Sequence, residues 1–475
     1  MLKLRAIINQ LDLENIESLE NLFILNKAEN LLFLLQEYKK NNLSDNEIIK
    51  HLNYNKTSFH TLKSRLYDKI QAQLINDSMG DRSDILSQLS NIPKYCYETP
   101  RETAGAILHK LEDDLKSNGM SGDLITVYSA LKKIHLHTPK YYEYSQLYNK
   151  HLAYTMALEK AEELLGSFIK ALSEYYLSKS VSIYELLHFI KMEIVNIFQL
   201  NRSNHIEIIH NIIIVHLHLF TKQHQENEEA TDDLLEKTEK IIQKYQNNNL
   251  YKNYHYIVSF LRYEYYTQIN EQNKAQKYFE EVNSTFKNWL LLDNLCLAFH
   301  FLFSRINNYC QRNIEQSLDI ENNEISFLLD TDNVFTILNF KFYTAISKFY
   351  AGKYKESTAL INDIINTTSF KDILNAEIEI KLCQAYVYIK YKEFELAESI
   401  IRSLYRKIKG QNEYSYDNAI AFSKILSLLI TNDGSEKIKS KILKSIRLFE
   451  FENSGERKMM RFLEKDFEKL KLSFS

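Results

Sequence analysis

Glycine and proline are almost missing from this chain. It has nine Gly and three Pro in 475 residues, where roughly 7% and 5% are usual. Strands must be joined by turns, and turns draw on Gly, Pro and Asn-Gly. A chain with so few breakers is driven toward long helices joined by short polar loops. The prolines, Pro93, Pro100 and Pro139, all lie in the first third, and the whole stretch from Lys140 to Ser475 contains none. Apolar residues recur at three- and four-residue spacing almost throughout, as in Leu186, Leu187, Ile190, Ile194 and Ile197, which is the periodicity of a helix face. Helix starts are predicted at Thr99-Pro100 and Thr138-Pro139, each a cap residue followed by proline at the first helical position. Two Ser-x-x-Glu capping boxes are expected, at Ser44–Glu47 and Ser182–Glu185. The fold class is therefore all-α.

Hydrophobic residues make up 45% and charged residues 25% of the chain, proportions of a folded globular protein and not of a disordered one. The formal charge of −3 selects neither a nucleic-acid glue nor an acidic tail. The start, Met1-Leu2-Lys3-Leu4-Arg5, runs into polar residues without the apolar core of a secretory signal. The most apolar window, Ile208 to Phe220, is interrupted by His210, Asn211, His216 and His218, so no membrane span is expected. Cys96, Cys296, Cys310 and Cys383 form no CxxC pair and suit free thiols in a reducing compartment. The expected location is the cytoplasm.

Three segments follow from the pattern. Residues 1–77 read as a small helical module, residues 78–100 as a connecting segment with weak periodicity, and residues 101–475 as a long helical body. Within that body, Ala385, Tyr388, Phe394 and Ala397 place small and aromatic residues as a tetratricopeptide unit does. Phe349 to Ser357, with Ala345 before them, resemble the same turn, and Tyr265-Tyr266 to Ala275 give a fainter copy. Between the anchors Ala275 and Ser357 lie two steps, and between Ser357 and Ala397 one step of nearly the same length. Extrapolation adds Leu234, Gln316 and Ile438. The family's usual period is about 34 residues, so these units, at about 40 residues, are longer. Residues 250–440 are thus tetratricopeptide-like, and the resemblance implies a solenoid whose concave side binds a protein or peptide partner.

Motifs for chemistry are few. The glycines form no GxGxxG, GxxxxGK[ST] or GxSxG pattern, which excludes the usual phosphate-binding loops. His205, His210, His216, His218 and His224 cluster, but none stand four apart, as two zinc ligands on one helix face would. They read as a helix surface or an inter-helix seam. Asp330-Thr331-Asp332-Asn333 opens like a calcium loop but lacks the later ligands and the glycine. No catalytic residue, cofactor site or metal site is assigned, and the chain reads as a non-enzyme.

Residues 31–70 carry a second resemblance. Ser44, Glu47, Ile48 and Leu52, then Ser58, Phe59, Leu66, Tyr67, Lys69 and Ile70, match a LuxR-type helix-turn-helix. There a capped helix leads by a short turn to a recognition helix. That resemblance implies nucleic-acid contacts at Lys56, Thr57, His60, Thr61, Lys63 and Arg65, with DNA as the partner of a transcription regulator. Two positions depart from the family: Leu62 stands for its usual His, and Lys63 for an apolar core residue. Acidic and basic residues balance over 1–77. The C-terminal helix bearing Lys437, Lys439, Lys441, Lys444 and Arg447 reads as a basic cap on the array. Two functions remain open: a scaffold for a protein or peptide, and a DNA-binding regulator with a tetratricopeptide-like sensor.

Overall fold

The computed structural model describes residues 4–474 apart from Asp12, 41–42, 79–82, Ser121, 222–228, 246–248, 291–294, 323–324, 326–333, 410–415, Asp433 and 454–457. The calcium-loop reading at Asp330 to Asn333 and the residue His224 lie outside the described residues. Among the described residues every regular element is helical, and no helix is long and apolar enough to cross a membrane.

The chain forms two compact units, Met1–Ala153 and Tyr154–Ser475. The first holds α1 (Leu4–Gln10), α2 (Leu13–Leu25), α3 (Glu29–Lys40), α4 (Asp45–His51) and α5 (Lys56–Ser78), then α6 (Ser83–Ser90), α7 (Ile92–Tyr97), α8 (Arg101–Ser117) and α9 (Leu124–Ile134). Helix α10 (Lys140–Ser178) carries the chain across the division. Two cores serve this unit. One gathers Leu19, Phe23, Leu34, Leu35, Ile48, Phe59, Leu66 and Ile70 from α2 to α5. The other gathers Ile92, Leu108, Leu111, Leu124, Val127 and Leu131. The stretch 78–100, expected to be a plain connector, thus contributes two short helices, and its Ile92 is buried against α8 and α9.

The second unit continues with α11 (Val181–Leu200), α12 (Asn204–Thr221), α13 (Thr231–Lys244), α14 (Asn249–Gln268), α15 (Gln272–Leu290), α16 (Leu295–Gln311), α17 (Leu318–Glu321), α18 (Val334–Tyr350) and α19 (Tyr354–Thr367). It ends with α20 (Leu374–Lys390), α21 (Phe394–Lys409), α22 (Asp417–Ile430), α23 (Glu436–Glu452) and α24 (Glu464–Phe474). Successive helices pack on each other, and so do the pairs α12 with α14, α16 with α18 and α20 with α22. One continuous core, from Leu158 to Phe467, runs through the whole unit.

The turns repeat. Asn270, Asn313, Gly352 and Lys392 take positive φ of 60°, 57°, 74° and 67°. They follow one another in steps of about 40 residues, the first step being the longest. In each turn the next N–H returns to the carbonyl five residues back, Glu271 to Tyr266, Ile314 to Tyr309, Lys353 to Lys348 and Glu393 to Tyr388, at 2.9–3.0 Å. This left-handed cap satisfies carbonyls that the ending helix leaves open, and it turns the chain sharply. The fifth residue after each is Ala275, Leu318, Ser357 or Ala397, and all four are buried. Ser357 hides its hydroxyl by donating to the Ala345 carbonyl at 2.7 Å. The extrapolated Gln316 is therefore corrected to Leu318: the longer first step moves the register, and Gln316 is exposed.

Caps follow the sequence pattern less closely than the period does. Ser44 and Glu47 form the expected reciprocal box. Thr99 instead donates to the Lys94 carbonyl of the preceding helix, and Pro100 itself precedes α8. Thr138 likewise donates back to His135. At α11 the cap is Ser180, two residues before the expected Ser182. Local sequence offers each hydroxyl two helix ends, and in the first two cases it serves the earlier one.

Residues 458–474 fold back over the first helices of the hairpins. The 3-10 turn Arg461–Leu463 and α24 both pack on α16. Tyr350 donates to the Phe462 carbonyl at 2.6 Å, Tyr386 donates to Asp466 at 2.9 Å, and Phe467 meets Phe422 and Phe449.

Candidate functional site

The residues expected to contact DNA lie at the start of α5. Helix α4 ends on Asn53 at φ 55°, the Tyr54 N–H returns to the Ile49 carbonyl at 3.1 Å, and the Asn55 carboxamide accepts from the Ser58 N–H at 2.7 Å to start α5. Lys56, Thr57, His60, Thr61 and Arg65 are exposed. Helical spacing puts Thr57, His60, Thr61, Ser64, Arg65 and Asp68 on one outer side. Lys63 departs from this set. It turns inward to Asp45 at 3.0 Å, where Arg5 at 3.2 Å and the Tyr38 hydroxyl at 2.9 Å also reach the same carboxylate. Burial pushes the Asp45 carboxyl up, but bonds from Lys63, Tyr38 and Arg5 outweigh it and hold it below its ordinary value. A lysine at an apolar position is thus paired with a carboxylate of α4.

The histidine cluster is a seam. His205 meets the Tyr254 hydroxyl at 3.0 Å, and His218 meets Thr231 at 3.1 Å. His216 is fully buried, stacked on Phe220 with centroids 4.4 Å apart. Among the described residues no group of three His, Cys, Asp or Glu is placed to hold a metal ion. Burial pushes the Cys310 thiol up to about 12, which leaves almost no thiolate to react.

Sequence reasoning missed a recess of the second unit, a cavity of about 150 Å³. Its walls are aromatic: Tyr176, Phe220, Phe299, Phe303, Phe342 and Phe462 line it beside His300. Tyr176 and His300 pack with centroids 3.9 Å apart, and Phe462 stands edge-on to Phe342 at 5.4 Å. Burial holds His300 well below its ordinary value, with His216, Arg461 and Lys179 adding to the effect, so the ring is neutral.

Charged side chains occupy one part of this wall. Lys179, Glu379, Lys458 and Arg461 all line the cavity. Lys458 is paired with Glu464. Glu379 accepts the Met460 N–H at 2.7 Å. Burial raises its carboxyl above the ordinary value, against the opposing Met460 N–H, Lys179 and Arg461. Arg461 is half-buried and has no hydrogen-bond or ion-pair partner among the described residues. Lys179 and Met460 both adopt left-handed backbone, at φ 53° and 56°. Side chains disfavour that conformation by roughly 1–2 kcal/mol per residue. No local signal announces these residues, because Lys179 and Arg461 are joined only by the return of the C-terminal segment. No protein-family model, curated protein or solved structure matches this chain.

Proposed function

We propose that this protein is a non-enzymatic binding protein of tetratricopeptide-like architecture, which receives a peptide segment of a partner in the aromatic cavity of Tyr154–Ser475. Support for the architecture comes from the recurrent left-handed turn and the small or buried residue five positions later. The observation that carries the binding role is the cavity itself: apolar walls with a few convergent polar groups are the usual form of a ligand site. The first helices of the later hairpins, where a solenoid would take its partner, are packed against residues 458–474, and this cavity lies beside that segment. The alternative of DNA reading rests on α5. It carries Lys63 in a pair with Asp45, has Asp68 on the same side as the other candidates and shows no basic excess, and it stands second.

The cavity predicts a specific loss. Asn307 lines it from α16 and is half-buried, so Asn307→Trp would fill the mouth from a position outside the core. Pools of short apolar peptides should raise the melting temperature of the wild type and leave that of Asn307→Trp unchanged. Equal shifts in both proteins would place binding elsewhere and end this reading.

A further inference from the structure

Resting on the aromatic cavity as the binding site, we propose that what enters it is one neutral aromatic ring carrying a hydroxyl or ring N–H, its face among the aromatic walls and its polar edge hydrogen-bonded to His300. Size argues for a single ring. The volume of about 150 Å³ is that at which an apolar cavity takes one benzene molecule. The wall argues for an aromatic occupant. Tyr176, Phe220, Phe299, Phe303, Phe342 and Phe462 line it, and aromatic rings attract one another in offset or edge-to-face pairs.

The polar edge is set by α16. His300, Ser304 and Asn307 fall on one face of that helix and all line the cavity. Ser304 already donates its hydroxyl to Glu264. His300 is held in place by Tyr176 at 3.9 Å and Phe220 at 5.0 Å between ring centroids, yet its nitrogens have no hydrogen-bond partner among the described residues. Burial keeps the ring neutral, so one nitrogen donates and the other accepts. A phenol hydroxyl or an indole N–H meets that need, and a plain phenyl ring does not. Charge is settled within the wall. Lys458 pairs with Glu464, Arg461 faces the buried carboxylates Glu264 and Glu379, and the Lys179 ammonium lies over the rings of Tyr175 and Tyr176 at 4.8 Å and 4.9 Å. An ionised ligand would lose its water and find every counter-charge already engaged. The tyrosine or tryptophan side chain of a partner's peptide and a free phenol or indole both present the required ring.

Calorimetric titration of the full-length protein with p-cresol, toluene and acetyl-Ala-Tyr-Ala-amide tests the ring and identifies its source. A purely apolar cavity prefers toluene, which gives up less hydration than p-cresol. With His300 as partner, p-cresol should bind more tightly than toluene, by about threefold or more. His300→Phe keeps a ring against Tyr176 and Phe220 and should reverse that order; the wild-type comparison stands whether or not this variant folds. Tighter binding of the tripeptide than of p-cresol supports the ring and identifies a peptide side chain as its source, and weaker binding supports the ring and identifies a free phenol. Toluene bound as tightly as p-cresol by the wild type, or an order unchanged in folded His300→Phe, overturns the hydrogen-bonded ring and leaves the cavity as a site. Failure of all three probes overturns both.

Discussion

His216 shows how far burial governs a single titrating residue in this fold. It is fully buried, and its Nδ1 has no hydrogen-bond partner. Burial lowers its pKa from 6.5 to about 3. Above pH 6.5 the ring is neutral in both the folded and unfolded chains. As pH falls from 6.5 toward 3, the unfolded chain binds a proton that the folded one refuses, so stability is lost over that window at about 1.4 kcal/mol per pH unit. His205, lowered to about 4 by the same cause, adds to the slope. His216→Phe keeps the stack on Phe220 and removes the titration. Its stability relative to wild type should therefore rise by about 2 kcal/mol between pH 8 and pH 5, as urea denaturation at both values would read. A difference that does not change with pH would show that His216 does not stay neutral in the folded chain. In the sequence, no two of these residues stand four apart. Their spacing carried no sign of burial, which depends on α10 and α16 lying beside α12. Lys63 is the converse case: its oddness at an apolar position was legible, but its partner Asp45, 18 residues away, was not.

At the scale of elements, what was legible is the period, and what was not is the phase of individual ends. The step of about 40 residues could be read from Ala275, Ser357 and Ala397, which are small and buried, but not from Leu318, which is buried at the same place without being small. The left-handed residues that set the step could not. Only Gly352 among the four is a glycine, and Asn270, Asn313 and Lys392 take the same conformation with side chains attached. Two opposite substitutions test the cost. At Lys392, φ 67° strains any side chain, so Lys392→Gly should stabilise the protein by about 1 kcal/mol. At Gly352 an added methyl would meet nothing within 4 Å, so the penalty for Gly352→Ala comes from φ alone and should also be about 1 kcal/mol, in the other direction. Chemical denaturation of both variants reads the two effects. If Gly352→Ala leaves stability unchanged, the backbone there is not held left-handed, and the turn does not set the step.

Over the whole second unit, the all-α class followed from the scarcity of breakers, and the order of helices followed from periodicity. The aromatic cavity did not, since it exists only where a segment far along the chain returns to α16, α18 and α20. Tyr350 and Phe462 are separated by 112 residues, and no local pattern joins them. That return also covers aromatic residues of the helices it meets. Phe462 covers Phe303 and Phe342, and Phe467 covers Phe422 and Phe449, so residues 458–474 act as part of the core, and the expectation of a simple basic cap stops at α23. Deleting residues 458–475 should then uncover an aromatic stripe along four helices. Two buried phenylalanines are removed, each worth about 1.5–3 kcal/mol of burial, together with the tyrosine bonds to Phe462 and Asp466. The truncated chain should melt at least about 5 °C lower, unfold less cooperatively and bind an apolar dye while still helical. An unchanged melting temperature with no dye binding would mean that the segment only rests on the surface. In that case the cavity's charged wall, to which Arg461 belongs through the same segment, would be an adjunct that the array can dispense with.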